Sequence, residues 1–194
     1  MMRKTFYILC FFIGLLQTVQ AQDSKPTYFE SAPNNMVRFF YDKNYYLVDK
    51  NCEFKFIERV ATFNTSQNIF SGIFKDFDPN GRLVLTGQYI DGKKDGVFTA
   101  YHPNGKIKWE TQYQNDVEIG SSKYYYPDGK PMLELLFHNG DFSIINYYDR
   151  FGRRTVVNGD GEYDITMPIG NFSEHGFTKY NRKGKIHNGK PIDT

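Results

Sequence analysis

The chain has 194 residues, with 24 Lys and Arg against 22 Asp and Glu and a formal net charge of +2. Aromatic residues make up 18% of it although the mean hydropathy is −0.58, so its apolar surface is concentrated in rings. A nearly neutral chain gives no basis for nucleic-acid binding, which rests on cationic neutralisation of phosphates, and one cysteine beyond the first 21 residues excludes an internal disulfide framework.

Residues 1–21 read as a secretory signal. Arg3 and Lys4 precede an apolar run from Phe6 to Leu16, and Val19-Gln20-Ala21 ends it with a small residue suited to cleavage. Its removal takes two positive charges and brings the formal charge to zero. The expected location is the periplasm, the cell envelope or the medium. Residues 22–36 contain Ser, Pro and Asn and predict a linker. Residues 37–70 predict a degenerate N-terminal hairpin that caps the first edge strand. It reads VRFFYDKNYYLV, then a turn around Asp49-Lys50-Asn51, then EFKFIERV, with Cys52 where a turn glycine would stand.

Residues 71–194 carry a repeat of 24 residues. Gly81, Gly105 and Gly129 keep that spacing, and so do Gly72, Gly96 and Gly120, and the series Gly92, Asp116, Gly140. A fixed period in this range is the mark of a repeat architecture. The turns read FDPNGR, YHPNGK and YPDGKP. Proline presets the first torsion, and Asn or Asp followed by Gly supplies positive-φ positions for a tight hairpin. A second turn follows at Asp91-Gly92 through Gly96, and again from Asn115-Asp116 through Gly120. After each Pro-containing turn the apolar residues alternate: Leu83, Leu85, Gly87, Tyr89; then Ile107, Trp109, Thr111, Tyr113; then Pro131, Leu133, Leu135, Phe137. Period two means strands with one apolar face. The fold expected is all-β, a single elongated antiparallel meander of β-hairpins. A fourth unit keeps its turn at Gly152 and then runs into TVVNGDGEYDITM, with a tight turn at Gly159-Asp160-Gly161. The fifth turn glycine is placed at Gly184 after an insertion of about eight residues. GKIHNGKPIDT then opens a further half-unit.

The pattern GVFTAYHPNGK at 96–106 resembles the variant MORN repeat of bacteria. The repeat order also resembles exported proteins of the Bacteroidota, and the repeat class includes antitoxin-like proteins. The resemblance implies a sheet of hairpin repeats and carries no chemistry of its own.

No residue set points to catalysis. Asp76-x-Asp78-x-Asn80-Gly81 copies the opening of a calcium loop, but the bidentate Glu position holds Gly87. Gly159-Asp160-Gly161 lacks the helix and the Lys-Ser/Thr pair of a phosphate loop. His102, His138, His175 and His187 have no metal-ligand spacing and read as turn residues. No cofactor and no metal are expected. Tyr101, Trp109, Tyr113 and Tyr125 have two readings: ladder packing inside the sheet, or an aromatic surface for a partner. The function expected is an exported, non-enzymatic module that presents an extended β-surface to an unidentified protein or scaffolds the envelope. Association with a membrane surface and neutralisation of a partner in the antitoxin manner are the alternatives.

Overall fold

Pro79, Pro103 and Pro127 decide one edge of the sheet. A proline holds its φ near −65°. That fits the first central position of a type I turn and forbids the positive φ a type I′ turn needs there. In the computed structural model, which describes residues 25–168 and 179–192, Gly81 N–H donates to Asp78 O (2.9 Å) and Asp78 N–H to Arg82 O (2.9 Å). The same two bonds close the turns at 102–106, 126–130 and 149–153. Only the glycines take positive φ: Gly81 73°, Gly105 80°, Gly129 87° and Gly152 83°. This is a type I turn ended by a glycine bulge, which corrects the expectation that Asn or Asp would share the positive φ.

The turns of the opposite edge carry no proline at a central position, and apart from the longer β3–β4 connection they use two residues, both at positive φ, as at Asn34-Asn35. The others are Asp91-Gly92, Asn115-Asp116, Asn139-Gly140, Asn158-Gly159 and Asn188-Gly189. At Asp116 the side chain compensates for the missing glycine, because its Oδ1 accepts the Lys94 N–H at 2.7 Å. These turns end after two residues, so Gly96 and Gly120 lie in strands and not in the turns the sequence suggests. Gly72, Gly96 and Gly120 keep positive φ and stand opposite Tyr89, Tyr113 and Phe137.

Fifteen strands result: β1 (Phe29–Ala32), β2 (Met36–Asp42), β3 (Lys55–Asn64), β4 (Ile69–Phe77), β5 (Leu83–Ile90), β6 (Lys93–Lys94), β7 (Gly96–Tyr101) and β8 (Ile107–Gln114), then β9 (Val117–Tyr125), β10 (Pro131–His138), β11 (Asp141–Tyr148), β12 (Arg154–Val157), β13 (Asp160–Pro168), β14 (Lys179–His187) and β15 (Lys190–Ile192). They form one antiparallel sheet in chain order, with β6 paired to β5 beside the main path. The single open meander expected from the repeat is the fold observed.

Three expectations need correction. Residues 29–32 are strand β1 paired to β2, so the stretch 22–36 is not linker throughout. The tight turn within TVVNGDGEYDITM lies at Asn158-Gly159, not at Gly159-Asp160-Gly161, and joins β12 to β13. Gly184 is not a turn glycine: it lies within β14 opposite Tyr163, and the turn belongs to Gly189. Gly176 and the insertion lie outside the described residues.

One face of the sheet is dry. Phe74, Leu85, Phe98, Leu133, Leu135 and Val156 are almost fully buried there. Register shifts recur at the Pro-containing turns, between Asp76 and Phe77 and between Ala100 and Tyr101. A further shift lies between Glu110 and Gln112. Such bulges bend a strand and sharpen its twist, which turns neighbouring inner-face side chains onto one another. Large and small residues alternate along one inner row: Phe74 faces Gly87, Phe98 faces Thr111, and Ser122 faces Leu135. Gly87 is small because a Cβ there would stand 2.7 Å from the Phe98 ring. We predict that Gly87→Ala lowers stability by about 1–3 kcal/mol through overpacking. Adding Phe98→Leu should recover part of the loss in urea denaturation.

Candidate binding face and its clasp

A chain with one dry face must place any charge on that face in a pair. Arg59 has the inner parity of Ile57 and Ala61, and Asp76 that of Phe74. Register sets the two directly opposite on β3 and β4. Arg59 Nε reaches Asp76 Oδ1 at 2.8 Å and Nη2 reaches Oδ2 at 2.8 Å, with both side chains buried. Tyr45 donates its hydroxyl to Asp76 Oδ2 at 3.1 Å. The guanidinium lies 4.3 Å from the Phe74 ring centroid, with Tyr41, Tyr45 and Phe70 within 5.7 Å. Planar stacking and a bidentate fork suit Arg and not Lys. The corresponding slots of the next two units hold Ala100 and Tyr124, so the charge pair welds the N-terminal cap to the array only once. Asp76 is thus a structural anion, not a calcium ligand. Asp78, two residues on, turns to its own loop, where Oδ1 accepts from Asn80 and Arg82 N–H and Oδ2 from Arg82 Nε. The two carboxylates do not converge. Among the described residues, no three His, Cys, Asp or Glu side chains gather as a metal site.

The Pro-containing turns are tied to one another. Arg82 Nη1 donates to Pro103 O (3.4 Å), Asn104 Nδ2 to Pro127 O (2.6 Å), Lys106 Nζ to Asp128 O (2.6 Å) and Tyr126 Oη to Tyr148 O (2.7 Å). His102 Nε2 lies 2.9 Å from Tyr125 O. A carbonyl only accepts, so that nitrogen carries the proton. Burial first, then its neighbour Tyr147, pushes the Tyr126 hydroxyl pKa well up, so it remains a neutral donor.

The four aromatics proposed as a surface divide. Trp109 and Tyr113 are each 5% exposed and belong to the core. Trp109 stands between Ala100 and Tyr124 on the flanking strands, and the Tyr113 ring sits 4.8 Å from Phe98. For these two the surface reading is overturned: the alternation turns them to the dry face. Tyr101 and Tyr125 are half-buried at strand ends beside their turns. The rings instead form a chain from Phe29 through Phe39, Phe70, Tyr89 and Phe98 to Tyr113, with successive centroids 4.8–5.9 Å apart.

The other face meets solvent. Ile73, Val97 and Leu136 are 58%, 54% and 45% exposed on it, among Lys75, Gln88, Gln112, Ser121 and Lys123. Both outermost strands are blunted: β1 has four residues between Pro26 and Pro33, and β15 contains Pro191. Proline and short length keep an edge from recruiting a further strand. Among the described residues, the outer face is therefore the broad accessible surface. Cys52 is a free thiol in the β2–β3 loop. His138 and His187 each contact the adjacent turn Asn, and His175 lies outside the described residues. Of Arg150, Arg153 and Arg154, which read as a solvated edge, Arg153 pairs with Asp149 and Arg154 bonds Asn146 and Asn158.

An open sheet of hairpin repeats with one dry face defines a β-repeat protein. Residues 94–115 and 118–139 match the family model described as MORN repeat variant, so these two adjacent units are MORN-variant repeats. A solved structure described as "Crystal structure of GtfA/B complex" is 17% identical, with a TM-score of 0.26. The match covers 73% of this chain and 23% of that one, and at that score it carries no argument about function. No curated protein matches the chain.

Two predictions follow from the clasp and the turns. Asp76→Asn leaves Arg59 buried without its counter-charge and should cost about 3–5 kcal/mol in urea denaturation, whereas Arg59→Met with Asp76→Leu should cost far less. At Asp78 and Asp149, burial raises the carboxyl pKa, but the Arg82 and Arg153 guanidinium groups and the turn N–H groups outweigh it and hold both below the usual 3.8. A folded pKa below the unfolded one means stability that is full above the unfolded value and lost as pH falls through the folded one. The thermal midpoint should therefore drop below about pH 4, and Asp78→Asn with Asp149→Asn should flatten that acid limb.

Proposed function

We propose that this protein is an exported, non-enzymatic scaffold module that holds a protein partner against the outer face of its repeat sheet. The observation that carries the reading is the division between the faces. Apart from Phe40, the buried rings and the buried ion pair lie on the inner face, and the outer one keeps Ile73, Val97 and Leu136 in solvent on β4, β7 and β10. An array of hairpins repeats that outer surface at fixed spacing, which suits an extended partner. The leader-like residues 1–21 support export, and the neutral charge that remains after their removal supports a protein partner over a polyanion.

The test is photo-crosslinking from Gln88 and Gln112 in intact cells, with the adducts identified by mass spectrometry. Ile73→Lys, Val97→Lys and Leu136→Lys together should abolish the adducts with little loss of stability, because all three side chains are solvent-exposed. Adducts that form only from β1 or β15, or none at all, would contradict the proposal.

A further inference from the structure

The outer-face side chains on β4, β5, β7 and β8 form a row of four: Lys75 opposite Thr86, Thr86 opposite Thr99, and Thr99 opposite Glu110. A second row runs beside it. Ile73 stands opposite Gln88 and Val97 opposite Gln112. The first row reads cation, hydroxyl, hydroxyl, anion, and beyond its end Lys123 on β9 stands opposite Glu110. Among the described contacts neither Lys75 nor Glu110 has a charged partner, unlike Arg38, Lys55 and Arg82, which all pair on or near their own hairpins. Rotated by half a turn about an axis along the strands between β5 and β7, this row becomes its own complement.

We propose that the occupant of this patch is a second copy of the chain, packed face to face about that two-fold axis. The inference rests on reading the outer face as the binding face. An isologous contact requires a self-complementary surface. Here Lys75 of one copy meets Glu110 of the other twice over, and Thr86 meets the second copy's Thr99. Ile73 lands beside the second copy's Val97, so two of the exposed apolar residues leave water.

The geometry limits the contact to these four strands. Strands lie about 4.8 Å apart, so Lys75 and Glu110 stand about 7 Å on either side of the axis. Packed sheets cross at about 30°, which displaces those positions by about 4 Å, within reach of a lysine stem. Arg38 and Glu134 also complement each other in sign, but they stand about 17 Å out, where the same angle moves them about 9 Å apart. They do not join the contact.

Sedimentation velocity of the purified protein tests this. The expected result is a concentration-dependent doubling of mass that weakens as salt rises. Lys75→Glu alone and Glu110→Lys alone should each raise the dissociation constant by about tenfold or more, and the combined swap should return it to within about threefold of wild type. Lys185→Glu, on β14 far from the four strands, should leave it unchanged. Circular dichroism of each variant checks that the sheet is intact. A wild type that stays monomeric to about 100 μM, or a swap that fails to rescue, overturns the dimer. If that monomer still crosslinks to another protein from Gln88, the face-binding reading survives. If it crosslinks to nothing, both fall.

Discussion

Within the described residues, the buried rings on the inner face of strands β4 to β8 pack on one another within a single sheet. That constraint governs the rest of the molecule. A two-layer domain can hide an apolar face against a helix or a second sheet. Here the cover must come from the strand next door, so the inner row must interlock across strands and cannot simply be hydrophobic. The Phe98 ring lies over Gly87, and Leu135 lies beside the small Ser122, which itself bonds Thr111 at 2.9 Å. Each ring contact of this kind adds about 0.5–1.5 kcal/mol beyond the area it buries. A chain of them from β1 to β8 accounts for the high ring content in so hydrophilic a sequence.

The same constraint explains why the two edges are built differently. Proline and a glycine bulge at one edge shift the register beside the turn, while hairpins closed by two-residue turns carry their shifts within the strands. Side-chain bonds from one turn to the carbonyls of the next tie the prolyl edge together. At the far end, where β12 shortens to four residues, the β14–β15 turn fills the gap. Ile144 N–H donates to Gly189 O, Gly189 N–H to Gly159 O and Gly159 N–H to Ile145 O, each at 2.8 Å. A Cβ at Gly159 would stand 2.8 Å from Gly189 N, so neither chain could approach so closely with a side chain in the way.

The strand order was legible because period two and period 24 are both local signals. Turn residues at fixed offsets set the hairpins, and the hairpins allow only the meander. Spacing alone does not tell a turn glycine from a strand glycine. Gly72, Gly96 and Gly120 keep it because a bulge opposite a ring needs positive φ, and Gly184 keeps nothing but a place beside the Tyr163 ring. Arg59 was missed although its parity gave it away. An arginine in step with Ile57 and Ala61 must be buried, and a buried arginine needs a carboxylate in step on the neighbouring strand. Asp76 was noticed for the wrong chemistry because the acid–turn pattern was read along the chain and not across it. Trp109 and Tyr113 were left between two readings for a related reason. Alternation separates the faces, but the sequence does not label which face is dry.

That label comes from counting what each face can satisfy. The inner parity holds the buried rings apart from Phe40, the Arg59–Asp76 ion pair and Thr111 bonded to Ser122, so these four polar side chains have their partners within the sheet. The outer parity holds Lys75, Gln88, Gln112 and Lys123, which need water or a partner. If the outer face were the covered one, those four would be buried at a cost of several kcal/mol. With the inner face covered, the rings are shielded at no such cost. The dry side is therefore fixed by polar satisfaction, and the solvent side leaves isolated Ile73, Val97 and Leu136 among amides and charges. Such a surface favours a partner that is polar overall and matched in charge, because single aliphatic residues spaced between strands do not make the continuous apolar patch on which a purely hydrophobic association depends.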